Sequence, residues 1–106
     1  MTSNVAKDPE QIIVAILQGE IERVRYLLNN GYNPNECLDE ALVTPLHYAA
    51  QHNKIDIAML LIESGANTYA CTKDEHYTPL SLALLFGHMK LAQMLLAYMH
   101  PTYNEC

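Results

Sequence analysis

The chain has no stretch of 18 apolar residues anywhere in its 106 positions, which excludes a membrane-spanning helix. Its most apolar stretch, Thr78–Phe86, is too short and sits inside a periodic pattern. No basic start followed by an apolar run is present, so a secretion leader is not expected. Basic residues are scarce: six Lys and Arg stand against twelve Asp and Glu, for a formal charge of -6, and no Lys/Arg cluster occurs. That balance repels a phosphate backbone and argues against nucleic acid as a partner. It would favour a basic protein or peptide through long-range attraction, although solubility alone is the simpler account of it.

Cysteine is also sparse. Cys37, Cys71 and Cys106 are odd in number and widely spaced, which does not build a disulfide framework and points to a reducing compartment, cytoplasmic or nuclear. No Cys-x2-Cys pair is present, and His47 and His52 do not form an HExxH pattern, so no metal centre is expected. No Ser or Cys has a His and an acid at motif spacing; no catalytic residue and no cofactor site is assigned. His47 reads as a hydrogen-bonding group at a helix start and His52 as a solvated helix end. Cys37 and Cys71 read as small hydrophobes tucked beneath loops, and Cys106 as a frayed last residue.

What is present is enough for one folded domain. Half of the residues are hydrophobic and 17% are charged, which is not a composition of disorder. Positions 34 apart agree along the chain. Thr44-Pro45-Leu46 recurs as Thr78-Pro79-Leu80, Gly31 as Gly65, and Asn33 as Asn67. Leu27-Leu28 recur as Leu61-Ile62 and again as Leu95-Leu96, while Ala15, Ala49 and Ala83 form one column and Ile21, Ile55 and Met89 another. Many columns with one period mean stacked repeats.

Each unit reads as two short helices. In the middle unit Thr44 caps the first, Pro45 occupies its first turn, and Leu46, Ala49 and Ala50 fall on one face. The second runs from about Ile55 to Glu63 and ends at Gly65, a residue that accepts a left-handed backbone without a steric penalty. The third unit has Thr78-Pro79 to about Phe86, a break at Gly87, and a partner helix from Met89 to about Met99, with Pro101 enforcing a stop. The first unit is a variant opened by Asp8-Pro9, with Ile12, Ala15 and Ile16 on its buried face, Gly19 at the turn, and Ile21 to Asn29 as its second helix. So short a pair is marginal alone, and stacking must join the apolar faces into one core.

The segment Thr44-Pro45-Leu46-His47-Tyr48-Ala49-Ala50 resembles the TPLHxAA signature of ankyrin repeats, and Leu61-Ile62-Glu63-Ser64-Gly65-Ala66-Asn67 resembles their LLxxGAx segment. The resemblance covers about residues 9–100. It implies an all-α solenoid of about three helix-pair repeats, at about 9–40, 41–74 and 75–100, with projecting hairpin-like loops and with flexible or capping tails at 1–8 and 101–106. It further implies partner binding by the loops and the concave face of the inner helices. The family unit is about 33 residues, so the 34-residue period predicts enlarged loops at 35–43 and 69–77. Ser81 stands where His47 does, so that histidine's bridging hydrogen bond is expected to be missing in the third unit.

These readings make the chain a non-enzymatic protein-interaction module. The alternative is a structural or self-associating regulatory segment. Loop candidates for partner contact are Glu36, Asp39, Glu40, Val43, Glu75, His76 and Tyr77. Inner-helix candidates, by family position, are Tyr48, Gln51 and His52, with Leu82, Leu85 and Phe86 as their counterparts. Leu85 and Phe86 replace polar residues of the middle unit: either they form an apolar contact patch, or they pack under the adjacent loop or the C-terminal tail. The third unit's outer helix is apolar along Met89, Leu91, Met94, Leu95, Tyr98 and Met99, unlike a polar cap. Three explanations stand: a longer array, cover by the tail at 101–106, or cover by another subunit, that is, homo-oligomerisation through repeat 3.

Overall fold

The computed structural model describes residues 9–99; the expected tails, the Asp8 cap and Cys106 lie outside them. Six helices occur in chain order among the described residues: α1 Pro9–Leu17, α2 Ile21–Asn29, α3 Pro45–Gln51, α4 Ile55–Glu63, α5 Pro79–Leu85 and α6 Met89–Tyr98. No described residue is in a strand. The helices pair as α1–α2, α3–α4 and α5–α6. The inner helices pack in a row, α1 on α3 on α5, and α2 meets α4 behind them. The architecture is the all-α solenoid of helix pairs that the resemblance to ankyrin repeats implies.

Local chemistry sets each boundary, and it repeats by column. Thr44 and Thr78 have extended backbones, and their hydroxyls accept from the amides of His47 and Ser81, with proline following as the first helical residue. Each inner helix then ends in a left-handed residue: Gly19, Asn53 and Gly87, with φ of 71°, 59° and 76°. The turn is closed by backbone bonds from Glu20, Lys54 and His88 to the carbonyls of Ala15, Ala49 and Ala83, each 2.8 Å. The outer helices α2 and α4 end in Schellman motifs. Gly31 and Gly65 take φ of 99° and 104°, and the amides of Tyr32 and Ala66 reach back to the Leu27 and Leu61 carbonyls at 2.9 Å. In the third unit Met99 stands in the glycine column, and α6 is one residue longer than α4.

The core is continuous through all three units. Ile12, Ala15 and Ile16 of α1, Leu46, Ala49 and Ala50 of α3, and Ala83 of α5 are fully buried, as are Leu61, Leu91 and Leu95 from the outer helices. Small alanines let the inner helices approach, and the longer aliphatic chains fill the space behind. Leu91 and Leu95 therefore belong to this core, so the apolar surface of α6 is narrower than its sequence suggests.

The loops are hairpin-like without being strands. Each begins with an Asx turn, in which Asn33 and Asn67 accept from the amides of Asn35 and Tyr69 at 2.9 Å. Each is then crossed by one backbone bond, Leu38 N–H to the Val43 carbonyl at 2.7 Å and Thr72 N–H to the Tyr77 carbonyl at 2.9 Å. Leu42 and His76, one column, are both left-handed at 64° and 57°. The cysteine reading is corrected here: Cys37 and Cys71 are exposed. Leu38 and Thr72, one residue further on, are the buried ones. Successive side chains of extended backbone point to opposite sides, so turning Leu38 and Thr72 inward turns the cysteines out.

Candidate interaction surface

The two loops are not independent projections. The Lys73 amide donates to the Ala41 carbonyl at 2.8 Å, joining loop to loop. His47 joins the second loop to the middle unit. Its Nε2 lies 2.9 Å from the Tyr77 carbonyl, and its Nδ1 lies 3.0 Å from the Thr44 amide and 2.9 Å from the Thr44 hydroxyl. A carbonyl only accepts, so Nε2 carries the proton and Nδ1 accepts from Thr44. Burial holds the His47 pKa below its usual value, against the opposing pull of the Tyr77 and Ala70 backbone and the Asp39 charge. In the third unit Ser81 shares its hydroxyl bond only with Thr78, at 2.9 Å, as the loss of the histidine predicts.

Further ties between units were not legible as such in the sequence. His88 Nε2 donates to the Gln51 carbonyl at 2.9 Å, and its ring lies 6.3 Å from that of Phe86. Asn35 accepts from the Asn67 amide at 2.6 Å and donates to the Gly65 carbonyl at 3.0 Å. Tyr69 is in the same column as Asn35, and its hydroxyl donates to the Met99 carbonyl. A signal for Asn35 and Tyr69 did exist: both stand two residues after the asparagine of an Asx turn, a position directed at the neighbouring unit.

Between the loops and the inner helices lies an open groove of about 290 Å3. Seven of the sequence candidates line it: Val43, Gln51, Glu75, Tyr77, Leu82, Leu85 and Phe86; Ala41 and Thr72 complete it. Leu85 is 61% exposed, Phe86 48% and Tyr77 37%, so large apolar surfaces face solvent together. Leu82 differs: it is 7% exposed and forms the floor. One helical turn separates it from Leu85 and Phe86 at the rim, and its position against the core, beside Ala83, buries it.

The other candidates are elsewhere. Tyr48 is half-buried and stacks on exposed His52, ring centroids 6.4 Å apart. Glu40 and His76 are exposed and Glu36 is half-buried; none lines the groove. Asp39 is a turn former, its carboxylate accepting from the Ala41 amide at 2.9 Å and the Val43 amide at 3.4 Å. Glu36, Glu40, Asp74 and Glu75 have no cationic partner among the described residues.

No described helix is long and apolar enough to cross a membrane. A family model described as ankyrin repeats, three copies, matches residues 12–105. The 2-5A-dependent ribonuclease of Mus musculus is 40% identical over 57 residues, which is 54% of this chain and 8% of that protein. The chain thus spans less than a tenth of the length of this relative. Ankyrin repeats generally mediate protein–protein interaction and are typically non-enzymatic.

Proposed function

The chain belongs to the ankyrin-repeat family, and from that premise we propose that it is a non-catalytic module whose loops and inner helices bind another protein through the groove. The observation that carries this reading is the joint exposure of Tyr77, Leu85 and Phe86 around one groove, beside loops already tied down by His47 and Lys73. A preformed surface loses little conformational freedom on binding. The four unpaired carboxylates of the loops favour a basic partner and disfavour nucleic acid. Two exposed, unbridged cysteines suit a reducing compartment, cytoplasm or nucleus. The test is affinity capture from native extract with the chain and its Leu85→Ser/Phe86→Ser variant, thermal unfolding serving as the fold control. Interactors held by the chain and lost by the folded variant are expected; an identical set on both refutes the groove.

A second reading, self-association through repeat 3, has its own support. Leu84 shares a column with Ile16 and Ala50, both fully buried, yet is 49% exposed. The preceding units cover that column with the next inner helix. Sedimentation at several concentrations tests it: a strict monomer, or an oligomer unmoved by Leu84→Glu, removes this reading.

A further inference from the structure

The groove has one chemical asymmetry. Of its nine lining residues only Glu75 carries a charge; the others are apolar or neutral. Glu75 is exposed and has no cation or hydrogen-bond donor beside it among the described residues. The charge around it is equally one-sided. Residues 35–43 and 69–77 hold five carboxylates, Glu36, Asp39, Glu40, Asp74 and Glu75, against the single Lys73. The remaining described bases, Arg23, Arg25, Lys54 and Lys90, lie on or at the start of the outer helices. Negative potential is therefore concentrated on the loop side, beside the groove and its apolar lining.

We propose that the groove takes a short peptide segment of a partner protein in which one bulky apolar side chain is flanked by an arginine or lysine. This rests on the interaction-module reading above and names the chemistry of its partner. The apolar side chain lies over Leu82 between Leu85, Phe86 and Val43, where it removes exposed hydrophobic surface from water. The neighbouring cation meets the Glu75 carboxylate, which lines the same groove as Tyr77 and Phe86. The volume sets the scale: about 290 Å3 lies at the small end of ligand pockets, enough for an anchoring side chain and its neighbour. A peptide with an acidic flank faces Glu75 and the negative potential of the loops and is repelled.

The test is selection from a phage-displayed library of random peptides on the full chain, followed by fluorescence polarisation with the retained peptides synthesised. Retained sequences are expected to share a bulky apolar residue with Arg or Lys close by. Glu75→Lys is expected to weaken them roughly three- to tenfold at low salt, and less at high salt. Selection on Glu75→Lys is expected to shift toward Asp and Glu. Both Glu75→Lys and Phe86→Ser replace exposed side chains, and each is checked by thermal unfolding. Neutral or acidic peptides that are lost on Phe86→Ser overturn this proposal and leave the groove as the binding site. Peptides indifferent to both variants overturn the proposal and the groove together. Retention of no peptide overturns the proposal, and the capture experiment then decides the broader reading on its own.

Discussion

Replacing His47 tests how far one side chain holds the middle and third units together. His47→Ala removes the acceptor of the Thr44 amide and the donor to the Tyr77 carbonyl. Thr44 is buried, so its amide loses a partner without gaining water, at about 1–3 kcal/mol. The Tyr77 carbonyl lies nearer the surface, and its loss is about 0.5–1 kcal/mol. The void left by a fully buried ring adds about 1 kcal/mol or more. The expected destabilisation is thus about 2.5–5 kcal/mol, out of roughly 5–15 for a domain of this size. The same residue predicts a pH dependence. Burial lowers its folded pKa below 6.5, so the unfolded chain binds the proton more readily. The stability due to neutral His47 is complete above about pH 6.5 and declines as pH falls from there toward the folded pKa. At one unit below 6.5 the loss is bounded at about 1.4 kcal/mol. Urea unfolding of the chain and of His47→Gln at pH 7.5 and 5.5 isolates this part, because the other titrating groups are common to both. An equal pH effect in the two proteins, or a cost of His47→Ala under 1 kcal/mol, refutes the reasoning.

Substitutions at four other residues probe the repeat logic, each read by urea unfolding. Gly65→Ala is expected to cost about 1–2 kcal/mol through its left-handed backbone alone, since no atom lies within 4 Å of the added methyl. Leu61→Ala, in the leucine column of the outer helices, should cost about 2–5 kcal/mol, whereas Leu84→Ala, half exposed on the inner helix α5, should cost under about 1 kcal/mol in the monomer. Asn35→Ala removes two bonds to the neighbouring unit and should cost about 1–2 kcal/mol; Asn35→Asp keeps the acceptor for the Asn67 amide but sets a carboxylate oxygen against the Gly65 carbonyl, so it is expected to destabilise as well.

Much of the candidate surface was legible because ankyrin positions fall into columns. Val43, Gln51, Glu75, Tyr77, Leu85 and Phe86 line the groove that their column positions imply. Leu82 lines it as well, as its floor: the inner helix turns it toward the core beside Ala83, where an apolar side chain fits rim and floor alike. The two cysteines were read wrongly. Either Cys37 or Leu38 is apolar enough to be buried, and the backbone bond from Leu38 to Val43 settles which one turns in.

The amino-acid order alone determined the helix boundaries and the 34-residue register. Threonine caps, prolines at first turns and glycines at left-handed positions act within a few residues of themselves, so their meaning survives without any neighbour. Three-dimensional packing alone decided that Asn35 reaches Gly65, that His88 reaches Gln51, and that Leu84 is open where Ile16 and Ala50 are closed. Those outcomes depend on which unit lies alongside, and a side chain's exposure is a property of what is stacked against it.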